Sequence, residues 1–313
     1  MKHFSGVSIN KYIIGIIIIS CVCIGAILSQ NEKYPEGKIY VETTIDDAIR
    51  ITQKQDAYFL IYEYGWFIDD SINSKCYRLT SIWVENDSHV KIWDINFEES
   101  DIEGVVKLYG EDDYLGSIHG DEVYKSIFVT IDDSITDIDK VEAGYCDSVS
   151  FTTESLLYHQ DSEKEAFLKE KTTVINDAGV TVTSKFKAMD DVIVNHVRLP
   201  ANLLKVENEK SIATNYSSVT ANVNAKTLTD YRENSYHECC VMDNMKDVTL
   251  EGGLCNMSVQ LNYYNSNDVV ARIVDFGFRY KVYFDCYNNK ELSEGDTIQT
   301  SYSYSYHING GLK

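Results

Sequence analysis

Polar and apolar residues alternate along most of this chain, a pattern typical of β-strands with one buried face. Turn-forming residues separate the alternating runs, so the first three runs predict an antiparallel meander. The predicted strands are Tyr58 to Trp66, Cys76 to Val84, Val90 to Phe97, Val105 to Tyr109, Tyr124 to Ile131 and Asp147 to Thr152. Strands at this spacing indicate a sandwich or a barrel.

Three segments between residues 44 and 186 have other patterns. Thr44 to Thr52 has apolar residues at helical spacing and acidic residues in its first turn, which predicts one short helix. The mixed charges of Leu156 to Lys171 fit either a helix or a long solvated connection. Thr172 to Phe186 is predicted to be a hairpin, because Asn176, Asp177 and Gly179 supply turn chemistry between two alternating arms.

The last quarter of the chain predicts a three-strand meander of Met257 to Tyr264, Val269 to Tyr287 and Thr297 to Ile308. The middle strand places Val270, Val274, Phe276, Phe278, Tyr280, Val282, Phe284 and Cys286 on one face and Asp275, Arg279, Lys281 and Asp285 on the other. In the last strand, Tyr302, Tyr304 and Tyr306 form an aromatic ladder that we interpret as core. Before the meander, Val206 to Thr229 is polar, and it fits an inserted loop or a pair of exposed strands.

The first 29 residues predict a secretory signal peptide. Lys2 and Lys11 precede an apolar stretch from Tyr12 to Leu28, and Ser29 offers a cleavage site. The stretch is also at the short limit for a membrane span, so an uncleaved type II anchor is the alternative. Either way, the rest of the chain is predicted to be extracellular.

Cysteine use agrees with export. Six cysteines follow the signal, an even number in an oxidising compartment, which predicts three disulfides without fixing their pairing: Cys76, Cys146, Cys239, Cys240, Cys255 and Cys286. Asn86, Asn215 and Asn256 begin glycosylation sequons. The cysteines around His237 form a possible zinc site, but oxidation is the favoured interpretation.

The charge balance excludes nucleic acid as a partner. The chain has 28 Lys and Arg against 49 Asp and Glu, a formal net charge of −21, and lacks a basic run. Such a surface attracts cations such as small amines, metal ions or basic proteins. The acidic run from Asp132 to Glu142 lacks the glycine of an EF-hand, so a solvated turn is the favoured interpretation. We find no catalytic motif and predict no cofactor and no enzymatic activity.

Two acids share strand parity with apolar residues. Glu63 falls on the face of Phe59 and Ile61, and Asp94 falls on the face of Val90 and Ile92. A carboxylate facing a barrel interior needs a partner, and the ammonium of a ligand is one such partner. Aromatic rings would then cover the cation, and the candidates are Tyr62, Tyr77, Trp83 and Trp93. The alternative is that this face packs outward, or that a bulge reverses it.

The order of features between residues 40 and 150 resembles the tick salivary lipocalins, the histamine-binding family. The similar elements are a short helix with Asp47-Ala48, a strand with Tyr58-Phe59-Leu60, the Cys76-Tyr77 strand, the Val90 to Phe97 strand, the Tyr145 to Val149 run and the Cys239-Cys240 pair. The resemblance implies an eight-stranded barrel that sequesters small host mediators such as histamine, serotonin or lipids. The chain departs from it in length, with a long segment between Cys146 and Cys239.

We therefore predict an all-β, mostly antiparallel protein: a lipocalin-like barrel from about Ile39 to Phe186, a short N-terminal helix and an additional C-terminal β-meander. The predicted divisions are a signal at 1–29, a barrel region at 30–190, a polar connection with the cysteine cluster at 191–256, and a meander at 257–313 in the same or a second domain. The predicted function is secreted capture of a biogenic amine or lipid in a barrel cavity. The alternative is an immune-evasion or adhesion β-sandwich that binds a basic protein such as a cytokine.

Overall fold

The structure is a computed structural model that describes residues 34–44, 47–96, 104–205, 218–221, 226–229, 237–243, 247–251, 255–264, 269–275, 279–286 and 289–309. Side chains are described in these ranges except at 96, 200–243, 251, 264, 274–275 and 279–280. The chain divides into two units after Glu36, and all the described strands lie in the unit from Gly37 to Lys313. The predicted signal at 1–29 lies outside the described residues. Within the part described, no helix has the length and apolar character needed to cross a bilayer.

The described part of the chain is nearly all strand. The strands before residue 190 are β1 (Ile39–Thr43), β2 (Ile49–Gln55), β3 (Tyr58–Asp69), β4 (Ser74–Asn86), β5 (Lys91–Asn96), β6 (Val105–Leu108), β7 (Tyr114–Leu115), β8 (Glu122–Ile131), β9 (Ser134–Thr136), β10 (Gly144–Cys146), β11 (Ser148–Tyr158), β12 (Glu165–Asn176) and β13 (Gly179–Ala188). Three short 3-10 helices interrupt them: Asp70–Ile72, Ser117–His119 and Ile138–Lys140.

The later strands are β14 (Val192–Lys205), β15 (Ser218–Ala221), β16 (Lys226–Thr229), β17 (His237–Asp243), β18 (Asp247–Glu251), β19 (Cys255–Tyr264), β20 (Val269–Asp275), β21 (Arg279–Cys286), β22 (Lys290–Leu292) and β23 (Thr297–Ile308). β15 and β16 form a separate two-stranded ladder. The other strands form two larger sheets, which we call sheet one and sheet two.

Sheet one has 14 strands in the order β10-β1-β2-β3-β4-β8-β11-β12-β13-β23-β19-β18, with β5 paired to β4 and β9 paired to β8. Its described ladders are antiparallel except for the short parallel contact between β4 and β8 at Ser74 and Glu122. Burial alternates regularly along β11 and most of β13. In β11, every odd-numbered residue from Val149 to Leu157 is buried, while the even-numbered residues are half-buried. One face of the sheet is therefore core and the other is outer surface.

Sheet one curls so that its first strands return towards its last ones. Six strands (β3, β4, β8, β11, β12 and β13) separate β2 from β23 along the sheet. Nevertheless, Gln55 Nε2 donates to the Tyr306 carbonyl at 2.8 Å and the Ile308 amide donates to Gln55 Oε1 at 2.9 Å. The Gln55 side chain thus hydrogen-bonds to the backbone of β23. These two bonds connect β2 with β23, although the two strands are not neighbours in the sheet.

Tyrosines fill the inside of this curl. Tyr64 of β3 stacks on Phe151 of β11 with ring centroids 4.8 Å apart, and Tyr77 lies 5.7 Å from the same ring. From the other side, β23 contributes the buried ladder of Tyr302, Tyr304 and Tyr306. The interior of sheet one is packed with aromatic rings where a lipocalin-like barrel would leave a cavity.

Sheet two has the order β17-β20-β21-β14-β6-β7, with β22 paired to β14. Sheet two packs against sheet one near Gly104, the residue before β6. The two sheets are close there, because a Cβ on Gly104 would lie 2.9 Å from Leu199 of β14 and 3.9 Å from Phe186 of β13. The inner residues of sheet two, among them Val197, Ile273 and Phe284, join the same core cluster as those of sheet one. The architecture is a sandwich of a long curled sheet and a smaller one.

Several predictions from the sequence are confirmed. The protein is all-β and mostly antiparallel. The predicted meander is β3, β4 and β5, and the predicted hairpin is β12 and β13 with its turn after Asn176. The aromatic ladder of β23 is buried, as predicted.

Other predictions were wrong. The segment predicted as an N-terminal helix contains β2, in which Ile49, Ile51 and Gln53 are buried with the period of a strand. Leu156 to Lys171 is neither a helix nor a solvated connection, because it forms the end of β11 and the start of β12. The closed barrel between Ile39 and Phe186 is not seen, since the described ladders follow an open path from β10 to β18.

The C-terminal meander also differs from its prediction. β19 and β23 pair directly with each other in sheet one, while Val269 to Tyr287 contains two strands, β20 and β21, that form a hairpin in sheet two. The parity of the core-facing residues changes between these two strands. In β20 the odd-numbered Val269 and Ala271 are buried, whereas in β21 the even-numbered Val282 and Phe284 are fully buried. Uniform alternation across the segment concealed this change of face.

The β12–β13 hairpin depends on Gly179, and we predict that Gly179→Ala destabilises the protein by about 1–3 kcal/mol. Gly179 has φ +134°, and a Cβ there would lie 2.6 Å from the Tyr304 carbonyl oxygen. Gly144→Ala is the matched control, because a Cβ at Gly144 meets nothing within 4 Å. Urea unfolding measures both free energies. Equal stability of the two variants would contradict this role of Gly179.

Candidate functional site

The six residues predicted to hold an amine lie on two faces of sheet one. Glu63, Trp83 and Asp94 lie on the outer face, whereas Tyr62, Tyr77 and Trp93 point into the core. The parity assignment for Glu63 and Asp94 was right, but their face is the outer one, which was the alternative considered. The six residues therefore do not line one cavity.

On the outer face, each predicted acid has a cationic partner from the protein itself. Glu63 Oε2 lies 2.7 Å from Arg50 Nε, and Asp94 forms an ion pair with Lys91. Both cations also lie over the Trp83 ring, at 5.3 Å for Arg50 and 5.2 Å for Lys91. This face is an aromatic site for cations that the chain fills with its own side chains.

The three inward residues are part of the core. Tyr77 donates from its hydroxyl to the Tyr64 carbonyl at 2.9 Å, and burial raises the pKa of Tyr77 above its usual range. Tyr62 is fully buried, and its hydroxyl has no hydrogen-bond partner among the described atoms. The indole nitrogen of Trp93 is in the same situation.

A buried ionic cluster lies deeper in the interior, around Glu122 at the start of β8. Glu122 Oε2 lies 3.1 Å from Lys169 Nζ, and their side chains are 5% and 2% exposed. Ser155 donates to Oε1 at 2.6 Å, and the Ser117 amide donates to Oε2 at 2.7 Å. Both carboxylate oxygens are therefore engaged, as a buried ion pair requires.

A polar row crosses the buried face beside this cluster. The ladder register places Thr153, Lys171, Ser184 and Thr300 opposite one another on β11, β12, β13 and β23, and all four are buried. Lys171 Nζ donates to the Tyr77 carbonyl at 3.3 Å. The Ser184 hydroxyl has no hydrogen-bond partner among the described atoms.

Glu122 is ionised under all ordinary conditions. Burial alone would raise the pKa of this carboxyl, but the charge of Lys169, the Ser155 hydroxyl, the charge of Lys171 and the Ser117 amide together lower it to about 2. Glu122 is thus a fixed negative charge that stabilises two buried lysines. The cluster lies among core residues, so we interpret it as structural.

The sequence analysis missed this cluster, although a signal for it was present. Lys169 and Lys171 share the parity of Phe167, Thr173 and Ile175, all of which are buried. The parity of Phe167, continued along the strand to Ile175, therefore indicates inward-facing lysines. The mixed charge of Leu156 to Lys171 instead favoured either a helix or a solvated connection, and neither places a lysine in a core.

A surface cleft of about 340 Å³ lies on the outer face of sheet one, between the β12–β13 turn and β18. Its lining is rich in hydroxyl and amide groups: Asn176, Thr181, Thr249, Ser258, Gln260, Ser303 and Ser305. Asp247 is the one charged residue in the lining. This lining is nearly neutral on a protein with a net charge of −21.

Strand register builds the cleft. Thr181 lies opposite Ser303, Ser303 opposite Gln260, and Gln260 opposite Asp247. This row spans three inter-strand spacings, or roughly 14 Å. A second row runs from Ser305 through Ser258 to Thr249, where the last two hydroxyls are 3.2 Å apart.

An exposed aromatic ring lies beside the cleft. Tyr263 is paired with Ser301, two residues before Ser303 on β23, and it is 50% exposed. The serines of β23 face outward because the tyrosines between them face the core. The alternation that predicted the aromatic ladder therefore also creates this hydroxyl surface, although the sequence analysis assigned it no function.

The remaining predicted sites have mixed outcomes. Among the four cysteines with described side chains, Cys76, Cys146, Cys255 and Cys286, no disulfide is formed, and all four are buried. The side chains of Cys239 and Cys240 are not among those that the structure describes, and Asn215 lies outside the described residues. Asn86 ends β4 and accepts from the Ser88 and Val90 amides, while Asn256 lies in β19. In the described ranges, no group of His, Cys, Asp or Glu is arranged to hold a metal.

No protein-family model and no curated protein matches this chain. Among solved structures, it is similar to a protein described as a kojibiose phosphorylase from the human microbiome, with a TM-score of 0.30 and 9% identity. The match covers 88% of this chain but only 34% of that one, so the chain spans about a third of its length. Similarity at this level carries no information on activity.

We predict that the Glu122 ion pair makes stability depend on acid pH. The folded pKa of Glu122 is about 2 and its ordinary value is 4.5, so its contribution of about 3 kcal/mol is complete above pH 4.5 and is lost as the pH falls towards 2. Glu122→Gln should cost about 3–5 kcal/mol at neutral pH, because Lys169 stays buried without its carboxylate.

Urea unfolding between pH 2 and pH 7 checks this prediction. The difference in unfolding free energy between the native chain and Glu122→Gln should shrink at the acid end of the range. Glu170→Gln is the control, because Glu170 neighbours Lys169 on β12 but is exposed and pairs with Lys185 at the surface. A Glu122→Gln difference that stays constant down to pH 2 would disprove the assignment.

Proposed function

We propose that this chain is an extracellular binding protein that captures a small, neutral, polyhydroxylated molecule such as a mono- or disaccharide. The observation that carries the proposal is the hydroxyl-lined and amide-lined cleft on β13, β23, β19 and β18. Its volume lies within the usual range for small-ligand sites. The predicted signal at 1–29 supports an extracellular location.

The chemistry of the lining selects the ligand class. Hydroxyl and amide groups both donate and accept hydrogen bonds, which matches the alternating donors and acceptors of a sugar. An ionic ligand finds only Asp247 as a charged partner in the cleft. The exposed ring of Tyr263 adds a flat apolar surface with a polar edge on which a sugar ring can lie.

The saccharide then lies outside the curled sheet and not in a lipocalin-like cavity. Tyr64, Phe151 and Tyr304 occupy the space that such a cavity would need. The family resemblance stays a prediction. It agrees with the proposed function in general terms, since both describe secreted capture of a small molecule.

We predict that Gln260→Ala weakens saccharide binding about tenfold, because one or two hydrogen bonds of about 1 kcal/mol each are lost. The measurement is isothermal titration against a panel of neutral mono- and disaccharides. Gln299→Ala is the matched control, since Gln299 lies on the same face of β23 but outside the cleft. Either no heat with any sugar, or equal affinity for both variants, would contradict the proposal.

A biogenic amine is the alternative small ligand, and the outer face at Trp83 favours it because two cations already contact this ring. An amine would have to displace Arg50 or Lys91. We predict that Arg50→Gln, which removes the guanidinium from Glu63 and from the Trp83 ring but leaves Lys91 over the ring, increases affinity for histamine about threefold to tenfold. Titration with histamine measures this, and an unchanged affinity removes Glu63 from the proposed site. A basic protein partner rests on the net charge of −21 alone.

A further inference from the structure

Sheet two has an outer face with a different chemistry from the cleft. The register places Tyr283 opposite Arg272, and Asp285 opposite Arg198. On the next strands, His196 lies opposite Lys107, which in turn pairs with Tyr114. We call this set, together with Lys281, the arginine–tyrosine face.

Asp285 organises the face by binding two arginines. Arg198 donates from Nε to Oδ1 at 2.7 Å and from Nη2 to Oδ2 at 3.1 Å. Arg272 Nε donates to Oδ2 at 2.6 Å. A guanidinium has five N–H donors, so the bidentate bond leaves three on Arg198 for other acceptors.

The Arg198 guanidinium is fixed between two aromatic rings. Its central carbon lies 4.9 Å from the Tyr114 ring centroid and 4.7 Å from that of Tyr283. Lys107 Nζ lies 5.7 Å from the Tyr114 ring, and Lys281 Nζ lies 6.0 Å from the Tyr283 ring. The tyrosine hydroxyl is also held, because Tyr114 Oη is 2.6 Å from His196 Nε2.

The charges of this face are the reverse of those of the protein. Among its described side chains, Lys107, Arg198, Arg272 and Lys281 are cationic, while Asp285 is the one carboxylate. Burial lowers the pKa of His196. The negative charge of Asp285 raises this pKa, while the positive charges of Arg198, Arg272 and Lys107 lower it further. The imidazole is therefore neutral near pH 7, and it does not contribute a further positive charge.

The guanidinium groups of this face are accessible to a ligand, whereas Tyr283 and Lys281 are buried. The side chains of Arg198 and Arg272 are 23% and 33% exposed, whereas that of Asp285 is only 12% exposed. The carboxylate lies below the guanidinium groups that it orients. Preorganised guanidinium groups beside aromatic rings are suited to planar or tetrahedral oxyanions, because they offer paired donors with little loss of side-chain entropy.

We propose that the arginine–tyrosine face binds an oxyanion, a carboxylate, sulfate or phosphate group carried by a small molecule, through Arg198, Arg272 and Lys107. This site is separate from the saccharide cleft and does not depend on it. Asp285, Tyr114 and Tyr283 act as positioning residues that hold the two guanidinium groups.

The test follows the Nε–Hε signals of the arginines by NMR in the ¹⁵N-labelled protein. Sodium sulfate, inorganic phosphate and sodium glucuronate are added at millimolar concentration and constant ionic strength, with glucose as the neutral control. We expect saturable shifts of the Arg198 and Arg272 signals with oxyanions and none with glucose. A sugar bound in the cleft would shift amide signals of β19 and β23 instead, so the two proposals are tested separately.

Variants separate a site from general charge effects. Arg272→Gln should weaken oxyanion binding about tenfold, and Lys107→Gln about threefold. Lys107→Gln leaves the Arg198–Asp285–Arg272 network intact, so it tests the site even if Arg272→Gln fails to fold. Lys185→Gln on sheet one is the matched control and should have no effect.

Each outcome decides the proposal. Binding of glucuronate alone supports a carboxylate ligand, and binding of sulfate or phosphate alone supports a sulfate or phosphate ester. The proposal is overturned if no oxyanion gives a saturable shift. It is equally overturned if Lys185→Gln weakens binding as much as Lys107→Gln does, because the effect would then be unspecific.

Discussion

The interior of this protein depends on the ionised carboxylate of Glu122. Sheet one curls over a face that includes Lys169 and Lys171, and buried ammonium groups are tolerated only with a fixed negative partner. Glu122 is placed for this by the parallel contact of β8 with β4, where it lies opposite Ser74. The Ser74 hydroxyl in turn donates to the Ser117 carbonyl at 2.7 Å, which ties the short helix after β7 to the same point. One carboxylate thus links β8, β11 and β12.

The alternation of side chains predicted most of the strands but not their arrangement. β13 could be predicted because buried and outward residues alternate regularly along it, and β3 and β4 could be predicted because each is a mostly apolar run between clear turns. Uniform alternation from Val269 to Tyr287 could not show that the chain reverses direction and enters the other sheet. Ile45, Ala48 and Ile49 matched a helical spacing by chance, since the strand that follows buries Ile49 and Ile51.

The candidate sites were less predictable than the fold. Parity assigned Glu63 and Asp94 correctly to one face, but it could not say which face is inside, since that depends on how the whole sheet curls. Aromatic residues led the sequence analysis to Tyr62 and Trp93, which are core residues. The cleft is formed by three segments that are distant in sequence, namely β13, the consecutive strands β18 and β19, and β23. Serine and threonine on such strands carry no local signal of a site.

The outer faces of the two sheets differ in chemistry. Both sheets point apolar or aromatic residues into the same core, but different polar residues alternate with them and face outward. In β23, tyrosine faces inward and serine outward, which creates a neutral surface of hydroxyls. In β21, Phe284 faces inward and Asp285 faces outward, where Asp285 forms ion pairs with Arg198 and Arg272 of the neighbouring strands. Both surfaces are built on paired strands, whose register fixes the distances between functional groups. Such rigidity lowers the entropic cost of ligand binding, so a filled interior is compatible with a binding function on the outer faces.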